Sequence, residues 1–464
     1  MPQAQWGPHH ISRCEQQIGQ KLLNDEPSLV SYSSDFGRLT HLKPAAVFSP
    51  PTTQALQQIV AYANANNLPV TLRANGLSQC GQTLPVAGGL TIHMDRFCAV
   101  HEPEDTFIWV DANATWATLL AAALPMSRVP YVIPYNTNLS IAGLLSVGGV
   151  GAASFKHGVA ASHVDAVEVV TANGEIQRVG ADSPLLHACL GGLGHFGVIT
   201  KAAIQLRPCG RHVRTFFLAY LDKEQWLKDL TIFKRRADFI ETVCSPALQG
   251  TKSTPKGRQP FAEWLFTLQV SFEYDDKPPE LAGLGDEIRP WKVSHCQDET
   301  MEAYLLRHNS RFNAMKLTGQ WDLQHPWYEC LVAHDVVLAE LDDLLNSLPL
   351  YYATVIHLVP IARREPAGFF MAPDEPEFFS VMILNPGLPP ALVPSCLEVI
   401  KALDDRFLTQ GGKRYLAGFL GWDLPPSYWE THFGSKYKTW LDSKKRYDPK
   451  GIFCSLLYGR NSSC

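Results

Sequence analysis

The first part of the chain has short apolar runs on either side of a longer stretch with helical spacing. The apolar runs Ala45–Phe48 and Val70–Leu72 are typical of strands. Between them, Thr53–Ala65 has the spacing of a helix, and Thr52 directly before it is a favourable N-cap residue. This order of strand, helix and strand predicts an α/β arrangement near the start of the chain.

Two further apolar stretches predict a β-hairpin. Val164–Val170 and Glu175–Val179 have the character of strands, and Ala172-Asn173-Gly174 connects them. The Asn-Gly pair favours a tight turn because these residues tolerate a positive φ angle. We therefore expect the two stretches to pair as antiparallel strands.

The amino-acid composition of the chain changes at about His212. From there to about Ala417 it contains more aromatic and charged residues and longer helical patterns, such as Val336–Leu345 and Leu392–Leu408. The segment Lys252–Gln259 is rich in polar residues, Pro and Gly and is expected to be an exposed loop. This change predicts a second domain, with the last ~50 residues returning to the first one.

Composition and charge argue against several classes of function. Of the 464 residues, 46% are hydrophobic and 18% charged, and the net charge of −5 gives no reason to expect nucleic acid or an anionic membrane as a partner. No apolar run approaches the roughly 20 residues that span a bilayer. The eleven cysteines form no CxxC pair, which predicts thiols of a reducing compartment and no metal site. Because Met1–Cys14 lacks an apolar signal core, a cytoplasmic location is expected.

Two glycine-rich segments are the most informative part of the sequence. In Val70–Gln82 (VTLRANGLSQCGQ), an apolar strand runs into small residues that would expose successive backbone N–H groups. A concave row of such groups can hold a pyrophosphate without a lysine. The second segment, Ala142–Gly151 (AGLLSVGGVG), could bring its backbone equally close to a planar ligand. Either segment, taken alone, is also compatible with a simple tight turn.

A third glycine-rich segment, Gly192–Gly197, matches the GxGxxG pattern of dinucleotide-binding Rossmann folds. That pattern requires a strand before it and a helix after it. Here the helical stretch Pro184–Leu190 precedes the glycines and the strand-like Val198–Leu206 follows them. The reversed order argues against a Rossmann site, and the sequence contains neither a GxxxxGK[ST] nor an HExxH motif.

A series of short motifs runs along nearly the whole chain: Ser34-Asp35-Phe36-Gly37, Pro44-Ala45-Ala46-Val47, Arg73–Gln82, Ser154-Phe155-Lys156-His157-Gly158, Leu190–Thr200, Asp238-Phe239-Ile240-Glu241, His325-Pro326-Trp327, Tyr415-Leu416, Trp429, His432-Phe433-Gly434 and Tyr447-Asp448-Pro449. This series closely resembles, in the same order, that of the cytokinin dehydrogenases, in the vanillyl-alcohol-oxidase superfamily. Agreement at so many positions in the same order is hard to obtain by chance.

The resemblance implies an α+β fold with FAD as cofactor. The FAD-binding domain, of the PCMH type with two α/β subdomains, would cover residues 1–208. A substrate domain, an antiparallel sheet flanked by helices, would cover residues 209–417, and residues 418–464 would return to the FAD domain. The implied partner is a small-molecule substrate.

The resemblance also implies roles for individual residues. Glu241 matches a glutamate at the mouth of the substrate cavity, and Trp327, Leu416 and Asn136 would contact the substrate. The residues expected to contact FAD are Arg73, Asn75, Gly76, Leu77, Ser78, Gln82, Ser140, Gly143, Ser146, Val150, Ile199 and Tyr415.

Leu77 is the first departure from the family's pattern. In the cytokinin dehydrogenases a histidine at this place bonds covalently to the flavin, and leucine has no nucleophilic atom to do so. Cys80 lies three residues further on, and its thiolate could in principle form such a bond; a small packed thiol is the simpler interpretation. We therefore predict that FAD is bound without a covalent link.

Tyr135 is the second departure. It stands where the family has an aspartate that accepts a proton from the substrate amine, and no carboxylate occurs between Asn113 and Asp165. Tyr135 could act only as a phenolate or as a hydrogen-bond donor, and forming the phenolate at neutral pH costs about 4 kcal/mol. Either Glu241 takes over as base, or the substrate needs none.

The third departure is at the C-terminus, where Phe453–Leu457 replaces a Pro-Gly-Gln stretch that contacts the cofactor in the family. Together the departures leave three functions open. The protein either removes a hydride from a carbon beside nitrogen, in an amine or N-heterocycle, with Glu241 or Tyr135 orienting the donor; or it is an oxidase or oxidative cyclase for an alcohol or tailored natural product; or it binds flavin without redox turnover.

Overall fold

A computed structural model describes residues 4–349, 352, 355–365, 368–421 and 424–459. In this part of the chain the strands form three sheets, of three, five and eight strands. Helices pack around all three, which confirms the predicted α+β class.

The N-terminal part contains the smallest sheet, in which three parallel strands lie in the order β1-β3-β2. The hydroxyl of Thr52 accepts a hydrogen bond from the Ala55 amide at 3.2 Å, which confirms Thr52 as the N-cap of α3. The elements of this part are α1 (Pro8–Ile18), α2 (Glu26–Ser31), β1 (Ala46–Phe48), α3 (Thr53–Ala65), β2 (Val70–Arg73) and β3 (Leu90–His93).

The second sheet is antiparallel, with the order β4-β8-β6-β7 and with β5 paired to β8. Its elements are β4 (Phe107–Asp111), α4 (Trp116–Ala123), β5 (Arg128–Pro130), α5 (Ile141–Leu145), α6 (Ser154–His157), β6 (Val164–Val170), β7 (Ile176–Gly180), α7 (Pro184–Cys189) and β8 (Val198–Pro208). The predicted hairpin is confirmed as β6 and β7. Helix α7 precedes Gly192–Gly197 and β8 follows it, so the reversed context of this motif is confirmed.

The third sheet is antiparallel and has eight strands, in the order β12-β9-β11-β10-β14-β15-β13-β16. Its elements and the helices around and after it are β9 (His212–Tyr220), α8 (Lys223–Phe233), β10 (Phe239–Thr254), β11 (Gly257–Tyr274), β12 (Lys292–Thr300), α9 (Met301–Leu306), α10 (Asn309–Leu317), β13 (Tyr328–Ala333), α11 (His334–Ser347), β14 (Val355–Ala362), β15 (Glu377–Leu384), α12 (Val393–Phe407), β16 (Lys413–Arg414), α13 (Pro426–Phe433) and α14 (Tyr437–Tyr447). Both helical patterns predicted from the sequence correspond to helices, α11 and α12.

The prediction of a loop at Lys252–Gln259 is wrong, because the backbone of this segment is mostly β-strand. The strands β10 and β11 continue into this segment and leave only residues 255 and 256 between them. Lys252 pairs with Gln259 and Thr254 with Gly257. The segment is exposed, as predicted, and its polar composition reflects the solvated tip of a long hairpin rather than a loop.

The C-terminal segment lies against β2, directly below the first glycine-rich loop. The Val70 amide donates to the Ile452 carbonyl at 2.8 Å, and the Cys454 amide donates to the Val70 carbonyl at 3.0 Å. The Thr71 hydroxyl donates to the Cys454 carbonyl at 2.6 Å. The division into residues 1–208, 209–417 and 418–464 stays a prediction, which these contacts support.

The described cysteines are all free thiols, and most of them are buried. A search of the described residues finds no group of His, Cys, Asp and Glu side chains arranged to hold a metal ion. None of the helices in this part of the chain has both the length and the apolar character needed to cross a membrane.

Candidate active site

A cavity of about 300 Å³ lies between the glycine-rich loops and the eight-stranded sheet. One wall is formed by the loops after β2, around α5 and before β8, and we call it the loop wall. The opposite wall is formed by β13, β14, β15, helix α10 and the segment after β16, and we call it the sheet wall. A concave site of this size between two structural units is typical of small-molecule binding.

The turn around Gly76 shapes the loop wall. Gly76 has a φ of +66°, and a Cβ atom at this position would lie 2.4 Å from the Arg73 guanidinium, so only glycine fits without displacing it. The carboxylate of Asp35 holds the far side of the turn by accepting from the Gly81 amide at 2.9 Å and the Ser78 hydroxyl at 3.0 Å. The loop is therefore fixed in a shape that leaves its backbone close to the cavity.

Arg73 is a cation without a carboxylate partner in the loop wall. Its Nη2 donates to the Ser34 carbonyl at 2.8 Å, while its Nη1 is buried and has no hydrogen-bond partner among the described residues. Burial lowers the pKa of this guanidinium, and the nearby Asp35 opposes the shift. An anionic group in the cavity would satisfy the free N–H and compensate the buried charge.

The second glycine-rich segment connects the loop wall to the sheet wall. Gly143 lines the cavity, and a Cβ atom at this position would lie 2.6 Å from the Ser140 Oγ. Gly149, with a φ of +88°, donates its amide hydrogen to the Tyr415 hydroxyl at 3.1 Å. Tyr415 follows β16, and this bond ties the two walls together.

The register of three strands places a row of side chains on the sheet wall. Glu329 on β13 lies opposite Met382 on β15, which lies opposite His357 on β14. All three residues line the cavity. The His357 Nδ1 lies 3.0 Å from the Thr242 carbonyl, which can only accept, so Nδ1 carries the proton and Nε2 is left as an acceptor.

Glu241 lies in a buried ion-pair cluster beside the cavity. Arg307 donates through Nε and Nη2 to its Oε1, the first at 2.9 Å, and the His308 Nε2 lies 3.1 Å from Oε2. Burial by itself would raise the pKa of Glu241, but Arg307 and His308 outweigh it and hold that pKa well below its ordinary value. Among these three residues the cavity is lined by His308 alone.

Tyr135 lines the cavity with a hydroxyl that is buried and has no partner among the described residues. Burial, together with the charge of Glu241, raises the pKa of Tyr135 well above 10. A phenolate is therefore even less accessible than the sequence alone indicates, and the hydroxyl can serve as a hydrogen-bond donor. Its ring packs edge-on against His308, with centroids 5.3 Å apart.

The structure brings nearly all predicted site residues to this one cavity. Glu241 is the exception, since it reaches the cavity only through His308. The predicted residues in the cavity lining are Arg73, Asn75, Gly76, Leu77, Ser78, Gln82, Tyr135, Asn136, Ser140, Gly143, Ser146, Val150, Ile199, Trp327, Tyr415 and Leu416. Their individual roles stay predictions.

Sequence reasoning missed the titratable side chains of the sheet wall. Glu329, His308 and His357 line the cavity, and none was predicted as a site residue. A signal existed for Glu329, because it lies only two residues after Trp327, which the resemblance places at the substrate. For His308 and His357 the sequence offers no such signal, because their positions depend on pairing between distant segments.

Comparison with known proteins agrees with this arrangement. Residues 44–180 match the family model described as an FAD binding domain, and residues 284–456 match the model described as "Cytokinin dehydrogenase 1, FAD and cytokinin binding". The first match contains the Gly76 turn and the Gly143 segment, and the second contains β13 to β16. The chain is a cytokinin dehydrogenase-like FAD-dependent oxidoreductase.

Named relatives align over most of the chain. An uncharacterized oxidoreductase, ORF5 in the fasciation locus of Rhodococcoides fascians, is 29% identical over 92% of this chain and 96% of its own length. Cytokinin dehydrogenase 7 of Oryza sativa subsp. japonica is 28% identical over 94% of this chain and 90% of its own. Cytokinin dehydrogenase 3 of Arabidopsis thaliana is 25% identical over 93% and 88%, respectively.

The loop wall of this oxidoreductase fits its cofactor, FAD. A dinucleotide brings a pyrophosphate, and the loop wall offers the unpaired Nη1 of Arg73 together with backbone around Gly76 and Gly143 that no side chain obstructs. Cys80 is 2% exposed and its Sγ donates to the Gly421 carbonyl at 3.1 Å. Burial raises the pKa of this thiol to about 11, so Cys80 is a packed thiol and not a thiolate.

Proposed function

We propose that this enzyme removes a hydride from a carbon beside nitrogen, in an amine or N-heterocycle of the cytokinin type. The observation that supports this most is the two-sided cavity. Its loop wall has the features of an FAD site, and its sheet wall carries hydrogen-bonding and titratable side chains opposite. The names of the relatives and of the matched family model point to the same donor class.

FAD is held without a covalent bond in this proposal. When bound, FAD supplies a two-electron acceptor for hydride. Leu77 has no nucleophilic atom, and the buried Cys80 thiol is engaged with the Gly421 carbonyl. Affinity then rests on Arg73 and on the backbone of the two glycine-rich segments, which predicts that the flavin leaves the protein when it unfolds.

Side chains around the cavity orient the donor. The Tyr135 hydroxyl has no hydrogen-bond partner among the described residues. In this proposal it donates a hydrogen bond to the substrate. Glu241 is engaged by Arg307 and His308, so in this proposal it positions His308 and does not take a proton itself. Trp327, Leu416 and Asn136 shape the space for the donor.

The test is anaerobic mixing of the FAD-loaded protein with isopentenyladenine, followed by flavin absorbance. We expect the flavin to bleach, because a C–N donor transfers its hydride. A panel of primary and secondary alcohols of similar size serves as the comparison. Bleaching by an alcohol but by no amine would contradict the proposal and would favour the second function, an alcohol oxidase or oxidative cyclase.

A further inference from the structure

Glu329 is a buried carboxyl group that reaches the cavity and has no partner there. The residue is 7% exposed and belongs to the cavity lining. Among the described residues no ion pair or hydrogen bond engages its side-chain oxygens. A carboxyl group in a cavity wall that no protein group engages is available to a molecule bound in that cavity.

The backbone at Glu329 is held by hydrogen bonds on both sides. Its carbonyl accepts from the Tyr415 amide at 3.0 Å and from the Arg414 Nε at 3.1 Å. On the other side β13 is paired with β15, where Met382 lies opposite. Glu329 and Trp327 both line the cavity, the space in which a donor would lie. The backbone that carries the carboxyl is therefore fixed at the cavity wall.

Several charged and titratable groups surround Glu329. From the β16 side these are Arg414 and Tyr415, and from β14 it is His357, two strands away. Elsewhere in the cavity lining are Tyr135, His308, Arg311 and Arg73. The Arg414 guanidinium is already bound to Asp404, at 2.8 and 2.9 Å, so it is not free to form an ion pair with Glu329.

The His308 Nε2 faces the Glu241 carboxylate at 3.1 Å and is thereby engaged. Three other groups near the cavity could accept a proton, and their pKa values separate them. The pKa of Glu241 lies well below its ordinary value. Burial lowers the pKa of His357 to about 4. Burial raises the pKa of Glu329 to about 7, and Arg414 opposes this only in part. General-base catalysis is most effective when the pKa lies near the working pH, which favours Glu329.

We propose that Glu329 is the catalytic base, which accepts the proton that the donor's nitrogen releases as hydride leaves the adjacent carbon. This deepens the proposed function and rests on it. The C–H and N–H bonds of the donor break and a C=N bond forms. The proton becomes that of the Glu329 carboxylic acid, and the hydride, with both electrons of the C–H bond, reduces the flavin.

The test compares Glu329→Gln and Glu329→Asp with the wild type, all FAD-loaded, by the anaerobic bleaching rate across pH. In the wild type the rate should rise with pH around neutrality, because the carboxylate form is required. Glu329→Gln should bleach at least about a hundredfold more slowly and lose this pH dependence. Glu329→Asp should keep part of the wild-type rate and part of the pH dependence. Glu377→Gln, at a half-exposed carboxylate on β15 of the same sheet, should leave rate and profile unchanged.

A second readout does not depend on turnover. Infrared difference spectra of the resting FAD-loaded protein should show a carboxylic acid band that titrates around neutral pH and is absent from Glu329→Gln. Equal rates and pH profiles in the wild type and Glu329→Gln would overturn the inference. If an alcohol but no amine reduces the wild type, the proposed function fails, and the same comparison with that alcohol decides whether Glu329 is the base. If no compound reduces the flavin of the wild type, the infrared spectra decide. Absence of the titrating band overturns the assignment of Glu329 as the base, and presence of the band supports it.

Discussion

The two walls of the cavity are built in different ways. The loop wall depends on backbone conformation, with glycine at Gly76, Gly143 and Gly149 where a side chain would not fit, and it contains a half-buried cation, Arg73. The sheet wall depends on side chains, among them His357 and others that titrate, held by strand pairing and by a buried ion-pair cluster.

This difference suggests a division of labour. Backbone amides fixed in a turn bind an anionic cofactor and have no protonation state that changes near neutral pH. Titratable side chains in a buried sheet have pKa values that burial and neighbouring charges displace, and these are the groups that proton transfer needs. Substitutions in the loop wall should therefore change FAD affinity, whereas substitutions in the sheet wall should change the rate of turnover or the stability.

The largest expected effect is that of Glu241→Gln, in the ion-pair cluster that supports the sheet wall. Removing this carboxylate leaves the buried Arg307 without its counter-charge, so the free energy of unfolding should fall by about 3 kcal/mol. Urea denaturation measures the change. Asp342→Asn, which breaks the exposed ion pair with Lys223, is the control and should change stability by less than about 0.5 kcal/mol.

The pH dependence of this effect follows from the lowered pKa of Glu241. The folded pKa lies below the ordinary value of 4.5, so the stabilisation is complete above about pH 4.5 and is lost as the pH falls toward the folded pKa. The stability difference between wild type and Glu241→Gln should be constant near neutral pH and shrink in acid. A difference that grows in acid would contradict the ion-pair assignment.

Gly76→Ala should have the next largest effect and should affect the cofactor. The new methyl group meets the Arg73 guanidinium and a positive φ, so FAD affinity should fall by roughly tenfold or more. Fluorescence titration of the apoprotein with FAD measures it. Gly257→Ala is a matched control, because Gly257 has a φ of +102° but no atom within 4 Å of the new Cβ. Equal FAD affinity in the two variants would count against the loop wall as the FAD site.

Tyr135→Phe should have the smallest effect and should appear only in turnover. Loss of one neutral hydrogen bond should slow flavin bleaching by up to about tenfold. Stability should stay the same or rise slightly, because among the described residues the hydroxyl has no partner that would be lost. Tyr428→Phe removes another buried, unpartnered hydroxyl outside the cavity lining and should leave the bleaching rate unchanged.

The same contrast explains how much of the site the sequence could predict. The loop wall is local: Gly76 and Gly143 lie in short segments whose glycine content and flanking strand are visible in the sequence. The sheet wall is not, because Glu329 and His357 become neighbours only through the register of β13, β15 and β14. Burial then alters their pKa values, which no residue identity reveals.

The fold shows this limit as well. The α3 helix and the β6–β7 hairpin follow from local patterns, an N-cap at Thr52 and an Asn-Gly turn, and both are confirmed. The polar tip of the β10–β11 hairpin was mistaken for a loop, since polar residues and Pro are common in loops and the pairing that extends the strands is not a local property.

The central claim is that the loop wall holds FAD by affinity alone. The most direct test is to saturate the purified protein with FAD, precipitate it with acid, and measure flavin in the supernatant. We expect a yellow protein that releases about one FAD per chain and leaves a colourless pellet. A protein that takes up no FAD, or a pellet that retains the flavin, would contradict it.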